Sequence, residues 1–251
     1  MGNKLGDRGV EMIVNEFKNA QNTASQLFQG ISERNVFTID PRISSEHRIA
    51  AERPYKTNPL FCAMGTSMAG SIALGSHDGK IRLYKEVGKD AKTLLPGLSD
   101  PIKAIEVSRD GLYVLATTQT YLLIVPTLCS NGKTGFEHRM GKEKPNPLKL
   151  QLKAQDIAKY RIRAIDFKHA KFNNFSSNGE ETSIVTSTGT FLVTWNFKKV
   201  KRGILNEYLI KALDTKPVDN QFQLDREEKI LVTDEKQVGV QSRKKKTYIQ
   251  Y

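Results

Sequence analysis

The sequence predicts an all-β fold, a β-propeller with about five blades, and three observations carry this prediction. Short runs of about five residues alternate apolar and polar side chains, which is the period of a strand rather than of a helix. Most of these runs come in pairs joined by a tight turn that contains Gly or Asp. The pairs recur along the chain, which indicates a repeat architecture. The segments lie at residues 36–40, 71–84, 113–125, 183–195 and 229–241.

The spacing of these segments fits propeller blades. If Ile39, Leu83, Ile124, Val193 and Val240 are equivalent, the successive steps are 44, 41, 69 and 47 residues. Three of these steps lie near the length of one four-stranded blade, roughly 40–45 residues. The long step predicts a loop insertion at residues 129–149, where glycines and prolines lie among polar residues. Loops tolerate additions without disturbing the sheets, so we expect inserted function to lie there.

The steps define the domain organisation. We expect an N-terminal extension at residues 1–9, a propeller at residues 10–242 and a basic tail at residues 243–251. Each hairpin follows a further strand-like run, for example at residues 102–107, 162–167 and 218–222, which gives the strand order of a blade. Residues 11–30 are ambiguous, because their apolar side chains also suit one face of a helix. The blades are expected near residues 10–45, 60–98, 101–150, 160–213 and 216–242.

Several residues match the turns and strand ends of a WD40-like blade. Asp78-Gly79 and Asp110-Gly111 are expected to form tight turns in which the Asp carboxylate accepts hydrogen bonds from turn amides. Gly189 is expected in the turn of the fourth hairpin. Trp195-Asn196 ends a strand-like run and is a near relative of the Trp-Asp pair that marks such blades. We therefore expect Trp195 to lie in the core of a WD40-like propeller.

Composition excludes several classes of protein. With 38% hydrophobic and 26% charged residues, the chain is typical of a globular protein. It contains no apolar run of about eighteen residues that would span a membrane, and its start lacks the apolar core of a signal peptide. Cys62 and Cys129 are too few for a disulfide scaffold, so we expect two free thiols in a cytoplasmic protein.

The sequence contains no complete catalytic or cofactor motif, and we predict no catalytic residue, cofactor or metal site. The nearest nucleophile elbow, residues 65–70, is one residue too long and joins two strands. Gly132-Lys133-Thr134 lacks the leading glycine of a phosphate-binding loop. The four histidines are at least 30 residues apart, so no local ligand cluster exists. The alternative is an enzyme whose site gathers His77, Asp78 and His169 from several blades.

Excess positive charge is concentrated in two clusters. The chain has 39 Lys and Arg against 27 Asp and Glu, a net charge of +12. Neither cluster is interleaved with the aromatic side chains that stack on bases, so a solvated loop and a frayed tail are favoured. Contact with a polyanion such as RNA, or a nuclear targeting signal, is the alternative. The clusters are Lys198, Lys199, Lys201 and Arg202, and Arg243, Lys244, Lys245 and Lys246.

Longer runs resemble one protein family. Residues 75–83 (Gly-Ser-His-Asp-Gly-Lys-Ile-Arg-Leu) and 110–117 (Asp-Gly-Leu-Tyr-Val-Leu-Ala-Thr) are similar to the C-terminal domain of the vacuolar import and degradation protein 27 family. The resemblance covers about residues 10–240. Plant relatives, the CYPRO proteins, look most similar over residues 120–152. Further matching runs lie at residues 39–42, 95–102, 120–124 and 184–189.

The resemblance implies a WD40-like domain of a cytoplasmic protein linked to vacuolar import and degradation, with no enzymatic activity to assign to any residue. Together with the lack of catalytic motifs, it predicts a noncatalytic scaffold that binds protein partners. Family members carry a long N-terminal region that this chain lacks, and propellers more often have roughly six to eight blades than five. We therefore expect an incomplete ring whose open blade faces promote self-association.

Overall fold

Antiparallel strands are the main regular secondary structure of the described residues. The computed structural model describes residues 9–18, 26–44, 48–173, 180–217, 219–222, 229–233 and 238–242. Within these residues the chain forms five antiparallel sheets, in each of which successive strands are hydrogen-bonded neighbours. The chain divides into two compact units, the first ending at Leu152 and the second beginning at Lys153.

The first unit contains three four-stranded sheets. The first sheet consists of β1 (Met12–Asn15), β2 (Phe28–Ser32), β3 (Asn35–Ile39) and β4 (Ile49–Pro54). The second consists of β5 (Phe61–Thr66), β6 (Ile72–Ser76), β7 (Ile81–Tyr84) and β8 (Thr93–Leu95). The third consists of β9 (Ala104–Val107), β10 (Tyr113–Thr117), β11 (Leu122–Pro126) and β12 (Leu148–Leu150), with a single 3₁₀ turn at Gly141–Glu143.

The described residues of the second unit contain the other two sheets and two short helices. The helix α1 (Ala154–Lys159) precedes a sheet of β13 (Lys171–Asn173), β14 (Ser183–Thr188), β15 (Phe191–Asn196) and β16 (Tyr208–Ala212). The helix α2 (Phe197–Lys201) lies between β15 and β16. The last described sheet consists of β17 (Asp219–Phe222), β18 (Lys229–Thr233) and β19 (Val238–Ser242). The meander order of all five sheets is that of propeller blades.

Two hydrophobic cores join the three sheets of the first unit. Side chains on β5, β6 and β7 contribute to both cores, so the second sheet is buried on its two faces. Ile72 and Leu74 of β6 pack towards the first sheet, against Ile31 and Val36. Ala73, between them, belongs to the core shared with the third sheet. The alternation of a strand thus distributes neighbouring residues between two interfaces.

Lys18 links the three sheets through polar contacts. Its backbone N–H donates to the carbonyl oxygen of Ser67, in the turn after β5, at 3.0 Å. Its ammonium donates to the carbonyl oxygen of Val107 on β9 at 2.6 Å and forms an ion pair with Glu106 at 2.6 Å. The side chains of Lys18 and Glu106 are only 10% and 16% exposed. A largely buried pair of this kind depends strongly on both partners.

The Asp78-Gly79 turn joins β6 to β7, and its backbone packs directly against Gly97. Gly79 has a φ of +77°, which favours glycine. A Cβ atom on Gly97 would overlap the backbone carbonyl group of Gly79. Because backbone atoms on both sides form this contact, neither can move aside as a flexible side chain would.

Two features of the first sheet bear on its sequence-based predictions. The first sheet ends at Pro54 rather than near residue 45, because the edge strand β4 (Ile49–Pro54) contains no fully buried residue and lacks the apolar alternation by which the other strands were predicted. Within residues 11–30 the described parts contain strands β1 and the start of β2, so the helical alternative is wrong there. Ala20 and Ala24, two residues of the proposed helix face, lie outside the described residues.

Residues 162–167 do not form the predicted strand. The first strand of this sheet is β13, an edge strand that pairs with β14 from Lys171 onward. The segment before β13 is instead joined to the end of β14 by hydrogen bonds that involve side chains. The Asp166 N–H donates to Thr188 Oγ1, and Thr186 Oγ1 donates to the Lys168 carbonyl oxygen. Side-chain hydroxyls thus replace part of a regular ladder.

The predicted insertion at residues 129–149 packs against the second and third sheets rather than projecting as a free loop. Cys129, Phe136 and Met140 are buried in the core that these sheets share. Thr93 of β8 donates its hydroxyl to the His138 carbonyl oxygen at 3.2 Å. The segment therefore contributes to the core of the first unit.

The described residues include no helix long and apolar enough to cross a membrane.

Replacing Lys18 with Met should destabilise the protein, because the ammonium that contacts Glu106 and the Val107 carbonyl oxygen on β9 is lost while the aliphatic stem remains. We expect the free energy of unfolding to fall by about 3 kcal/mol, measured by urea denaturation with circular dichroism. Lys89→Met is the matched control, since Lys89 forms an exposed ion pair with Glu86, and its urea midpoint should stay unchanged. Equal midpoints for the two variants would contradict the role of Lys18.

Replacing Gly97 with Ala should force the Asp78-Gly79 turn away from its position. We expect a loss of about 3 kcal/mol in the free energy of unfolding, as for severe overpacking. Gly132→Ala is the control, because a Cβ there meets no atom within 4 Å, although Gly132, unlike Gly97, has a positive φ of +77°. That control should lose only about 1 kcal/mol, from backbone strain alone. A Gly97→Ala variant as stable as the control would show that the turn yields without cost.

Candidate functional site

Asp78 stabilises its own turn. Its carboxylate accepts hydrogen bonds from the Lys80 backbone N–H at 3.1 Å and from the Lys80 ammonium at 2.6 Å. Partial burial alone would raise the pKa of Asp78, but these hydrogen bonds from Lys80 lower it below its ordinary value. A carboxylate with a lowered pKa is a weak base, and the neighbouring His77 is exposed. The geometry is that of a capped turn.

Asp110 has the same role in the turn between β9 and β10. Its Oδ1 accepts hydrogen bonds from the Ser108 hydroxyl at 2.5 Å and the Leu112 N–H at 2.9 Å. Gly111 follows with a φ of +72°. Gly189 lies in the turn between β14 and β15 with a φ of +55°. These residues lie in different turns and do not come together in one site.

Trp195 lies in the core of the fourth sheet. It pairs with Ile184 on β14 and with Tyr208 on β16, and it is 0% exposed. Its ring packs against Phe167 with a centroid distance of 6.2 Å and against Tyr208 with 5.4 Å. The indole Nε1 has no hydrogen-bond partner among the described residues.

Asn196 ends β15 and begins α2. Its side-chain oxygen accepts a hydrogen bond from the Lys199 N–H at 3.1 Å, which makes it the N-cap of this helix. The helix is further anchored by Phe197, which is buried and packs against Phe172 at 4.9 Å. The residue that resembles the Asp of a Trp-Asp pair thus caps a short helix.

The basic cluster lies on and just after α2. Lys199 forms an ion pair with Glu207, and Lys198 forms one with Glu180 at 3.5 Å. The Lys201 ammonium lies 5.0 Å from the centre of the Phe197 ring. Carboxylates therefore lie among these lysines. The second basic cluster, Arg243 to Lys246, lies outside the described residues.

A cavity of about 720 Å³ lies beside Trp195 in the second unit, and we refer to it as the Trp195 cavity. Its wall combines residues from α1, from the ends of β15 and β16 and from α2, most of which have polar side chains. The lining residues are Lys153, Asp156, Thr182, Ser183, Thr194, Trp195, Asn196, Lys198, Lys199, Asn206, Glu207, Tyr208 and Leu209.

Tyr208 connects α1 to the fourth sheet at this cavity. Its hydroxyl donates to Asp156 at 2.6 Å and accepts the Lys153 N–H at 2.7 Å. Burial, followed by the hydrogen bond to Asp156, raises the pKa of Tyr208 to about 12. The hydroxyl therefore stays neutral near pH 7 and holds one wall of the cavity in place.

A second cavity, of about 630 Å³, lies in the first unit, and we call it the three-sheet cavity. Connections from all three sheets form it, with Phe17, Val87 and Phe136 among its apolar residues and Glu86 and Glu137 among its acidic ones. Most of its lining comes from connections, namely Glu16 and Phe17 after β1, the turn after β5, residues 85–87 after β7, residues 110–111 after β9 and part of the segment after β11. The rest lies on or beside strands of the first two sheets: Leu27, Gln29, Thr38, Ala50, Ala51 and Ile72.

Both cysteines are free thiols, as predicted. Burial, together with the nearby charges of Glu11 and Asp78, raises the pKa of Cys62 to about 11, and its Sγ lies 2.9 Å from the Ile102 carbonyl oxygen. Burial likewise raises the pKa of Cys129. Neither thiol has the lowered pKa of a nucleophile. In the part of the chain that the structure describes, no group of three His, Cys, Asp or Glu residues is arranged to hold a metal ion.

Sequence patterns indicated Trp195, Asn196, Lys198 and Lys199 but not the cavity that they border. Tyr208, Asp156 and Lys153 join it through side-chain contacts across more than 50 positions in sequence. Tyr208 lies at the start of an outer strand, and no local pattern marks such a residue as functional.

Comparison with solved structures supports the propeller fold. A chain in the crystal structure of the mitotic checkpoint complex aligns with a TM-score of 0.60 and 10% identity over 87% of this chain and 58% of that one. The β-propeller domain of Cps50 (Swd1) from Myceliophteria thermophila aligns with a TM-score of 0.61 and 10% identity over 92% of this chain and 63% of that one. The predicted propeller class is confirmed.

Comparison of sequences identifies the family. Vacuolar import and degradation protein 27 of Schizosaccharomyces pombe is 37% identical over 224 residues, which cover 86% of this chain and 28% of that protein. The protein of the same name from Saccharomyces cerevisiae is 33% identical over 244 residues, which cover 90% of this chain and 31% of that protein. The chain thus spans about three-tenths of the length of these relatives.

The family model for the VID27 C-terminal WD40-like domain matches residues 4–249. The match extends over nearly the whole chain and confirms the resemblance found in the sequence. The chain belongs to the vacuolar import and degradation protein 27 family.

Proposed function

We propose that this chain is a noncatalytic β-propeller module that binds protein partners in the cytoplasm, in a process linked to vacuolar import and degradation. The three-sheet cavity is the observation that carries this proposal. Connections of three successive sheets converge on it, and propellers present such loops as docking surfaces. The names of the two yeast relatives support the link to vacuolar import and degradation.

The chemistry of the three-sheet cavity suits a protein surface. Phe17 and Val87, which are half-buried, provide apolar contact area, and Glu86, Asp110 and Glu137 provide exposed carboxylates. An apolar centre with a polar rim is the usual composition of a protein interface. The carboxylates of Asp110 and Glu137 already accept hydrogen bonds from their own turns, so they are held in position without a ligand.

The noncatalytic character of the module is supported by the state of its titratable groups. Asp78 has a lowered pKa because of Lys80, and Cys62 has a raised one because of burial. Neither shift favours the general base or the thiolate nucleophile that an enzyme would need at pH 7.

Affinity purification with the full 251-residue chain tests the proposal. An Ala69→Arg variant should lose partners that the unmodified chain retains, because Ala69 is exposed and lines the three-sheet cavity. Ala158→Arg is the matched control, since Ala158 is exposed on α1, and it should retain them.

Recovery of no specific partner by the unmodified chain would overturn the proposed interaction function. Recovery of the same partners by both variants would place their binding away from the three-sheet cavity and remove the observation on which the proposal rests.

A further inference from the structure

Two buried polar atoms in the wall of the Trp195 cavity have no hydrogen-bond partner among the described residues. They are Nε1 of Trp195 and Oγ1 of Thr182. More than about 90% of buried polar groups in native proteins are satisfied, so each such group requires an explanation. An indole N–H can only donate, so the missing partner of Trp195 is an acceptor atom. The cavity therefore suits a ligand that carries oxygen acceptors.

The charges around the Trp195 cavity favour an anionic ligand of limited length. Lys153, Lys198 and Lys199 contribute three positive charges to the lining, against the two carboxylates of Asp156 and Glu207. Asp156 already accepts the Tyr208 hydroxyl. The ion pairs of Lys198 and Lys199 are exposed, and exposed pairs contribute little stability, so a ligand carboxylate can replace either partner at small cost.

These two carboxylates, together with Glu180, which pairs with Lys198, argue against a long polyanion as the ligand. A nucleic-acid backbone carries a phosphate at every nucleotide and would approach Asp156, Glu207 and Glu180 as closely as the lysines. The aromatic rings at the cavity are also unsuited to stacking on bases, because Trp195 is buried and the half-buried Tyr208 packs against it.

The remaining lining matches a peptide. Leu209 is 55% exposed at the cavity and offers an apolar contact. Asn196 and Asn206 offer side-chain amides, which can donate to and accept from peptide groups. A carboxylate-bearing residue next to an apolar one satisfies both parts of this surface.

We propose that the Trp195 cavity binds a short acidic peptide segment of a partner protein, with its carboxylates on Lys153, Lys198 and Lys199 and an apolar side chain on Leu209. The inference rests on the proposed interaction function, but it uses a different unit of the chain from the three-sheet cavity. Trp195 itself has no exposed surface, so the peptide contacts the exposed lysines and Leu209 of the lining.

Trp195 is the single tryptophan of the chain, so its fluorescence reports directly on this cavity. The probe is a capped Glu-Leu-Glu-Leu-Glu peptide, titrated into the full chain, with the capped Gln-Leu-Gln-Leu-Gln peptide as its neutral match and poly(U) as the RNA arm. We expect a saturable change in emission with the acidic peptide that weakens as salt is added, and no change with the neutral peptide.

The triple variant Lys153→Gln, Lys198→Gln and Lys199→Gln should bind the acidic peptide at least about tenfold more weakly. Lys142→Gln with Lys144→Gln removes exposed charge from the first unit and should leave the affinity unchanged. Unchanged circular dichroism and peptide-free Trp195 emission show that the variants are folded.

Three results would each overturn the inference. They are no change in Trp195 emission with the acidic peptide, equal loss of peptide affinity in the triple variant and the control, and a higher affinity for poly(U) than for the peptide.

Affinity purification separates this result from the proposed function. If the triple variant recovers the same partners as the unmodified chain and the peptide titration is flat, only the cavity inference fails. If the unmodified chain recovers no partner but the peptide binds, only the proposed function fails.

Discussion

The burial of both faces of the second sheet is the constraint on which the first unit depends. A single four-stranded sheet has two faces, and it gains stability only when neighbouring sheets cover them. Ile72 and Leu74 point to one neighbour, while Ala73 and Leu83 belong to the core shared with the other. A shift of β6 by one residue would exchange these sets and put the small Ala73 where the larger side chains pack. The register is therefore fixed by two interfaces at once.

This constraint explains where polar and glycine contacts occur. Lys18 contacts Glu106 and the Val107 carbonyl oxygen on β9 and Ser67 after β5. Backbone carbonyl groups of neighbouring sheets lie here, and apolar side chains cannot donate hydrogen bonds to them. At another turn the backbone of Gly79 meets that of Gly97. Both contacts stabilise the edges of sheets whose centres are held by hydrophobic packing. The hydrogen bond from Lys18 to Ser67 also adjoins the three-sheet cavity, which Phe17 and Ser67 line.

Local patterns predicted the hairpins well because a hairpin is decided by residues close in sequence. The pairs β6–β7, β10–β11 and β14–β15 lie where alternation and turn residues indicated them. Elements decided by distant contacts were predicted poorly. The half-buried edge strand β4 lacks apolar alternation. The segment before β13 is joined to β14 through the hydroxyls of Thr186 and Thr188, which no periodicity reveals.

The candidate sites were the least predictable part, because their residues function together only after folding. The sequence marked Trp195-Asn196 as a variant of a blade signature and the following lysines as a solvated cluster. In the structure Asn196 caps α2, and this cap fixes the direction of Lys198 and Lys199 relative to the buried indole.

The cap therefore has a consequence beyond the stability of one short helix. By ending β15 and starting α2 at the same residue, it places cations beside a core tryptophan, and Tyr208 closes the opposite wall through Asp156 and Lys153. The end of this strand thus contributes to a charged, concave surface. Blades of similar architecture can in this way acquire different surfaces, because the strand ends vary while the cores between the sheets constrain the strands themselves.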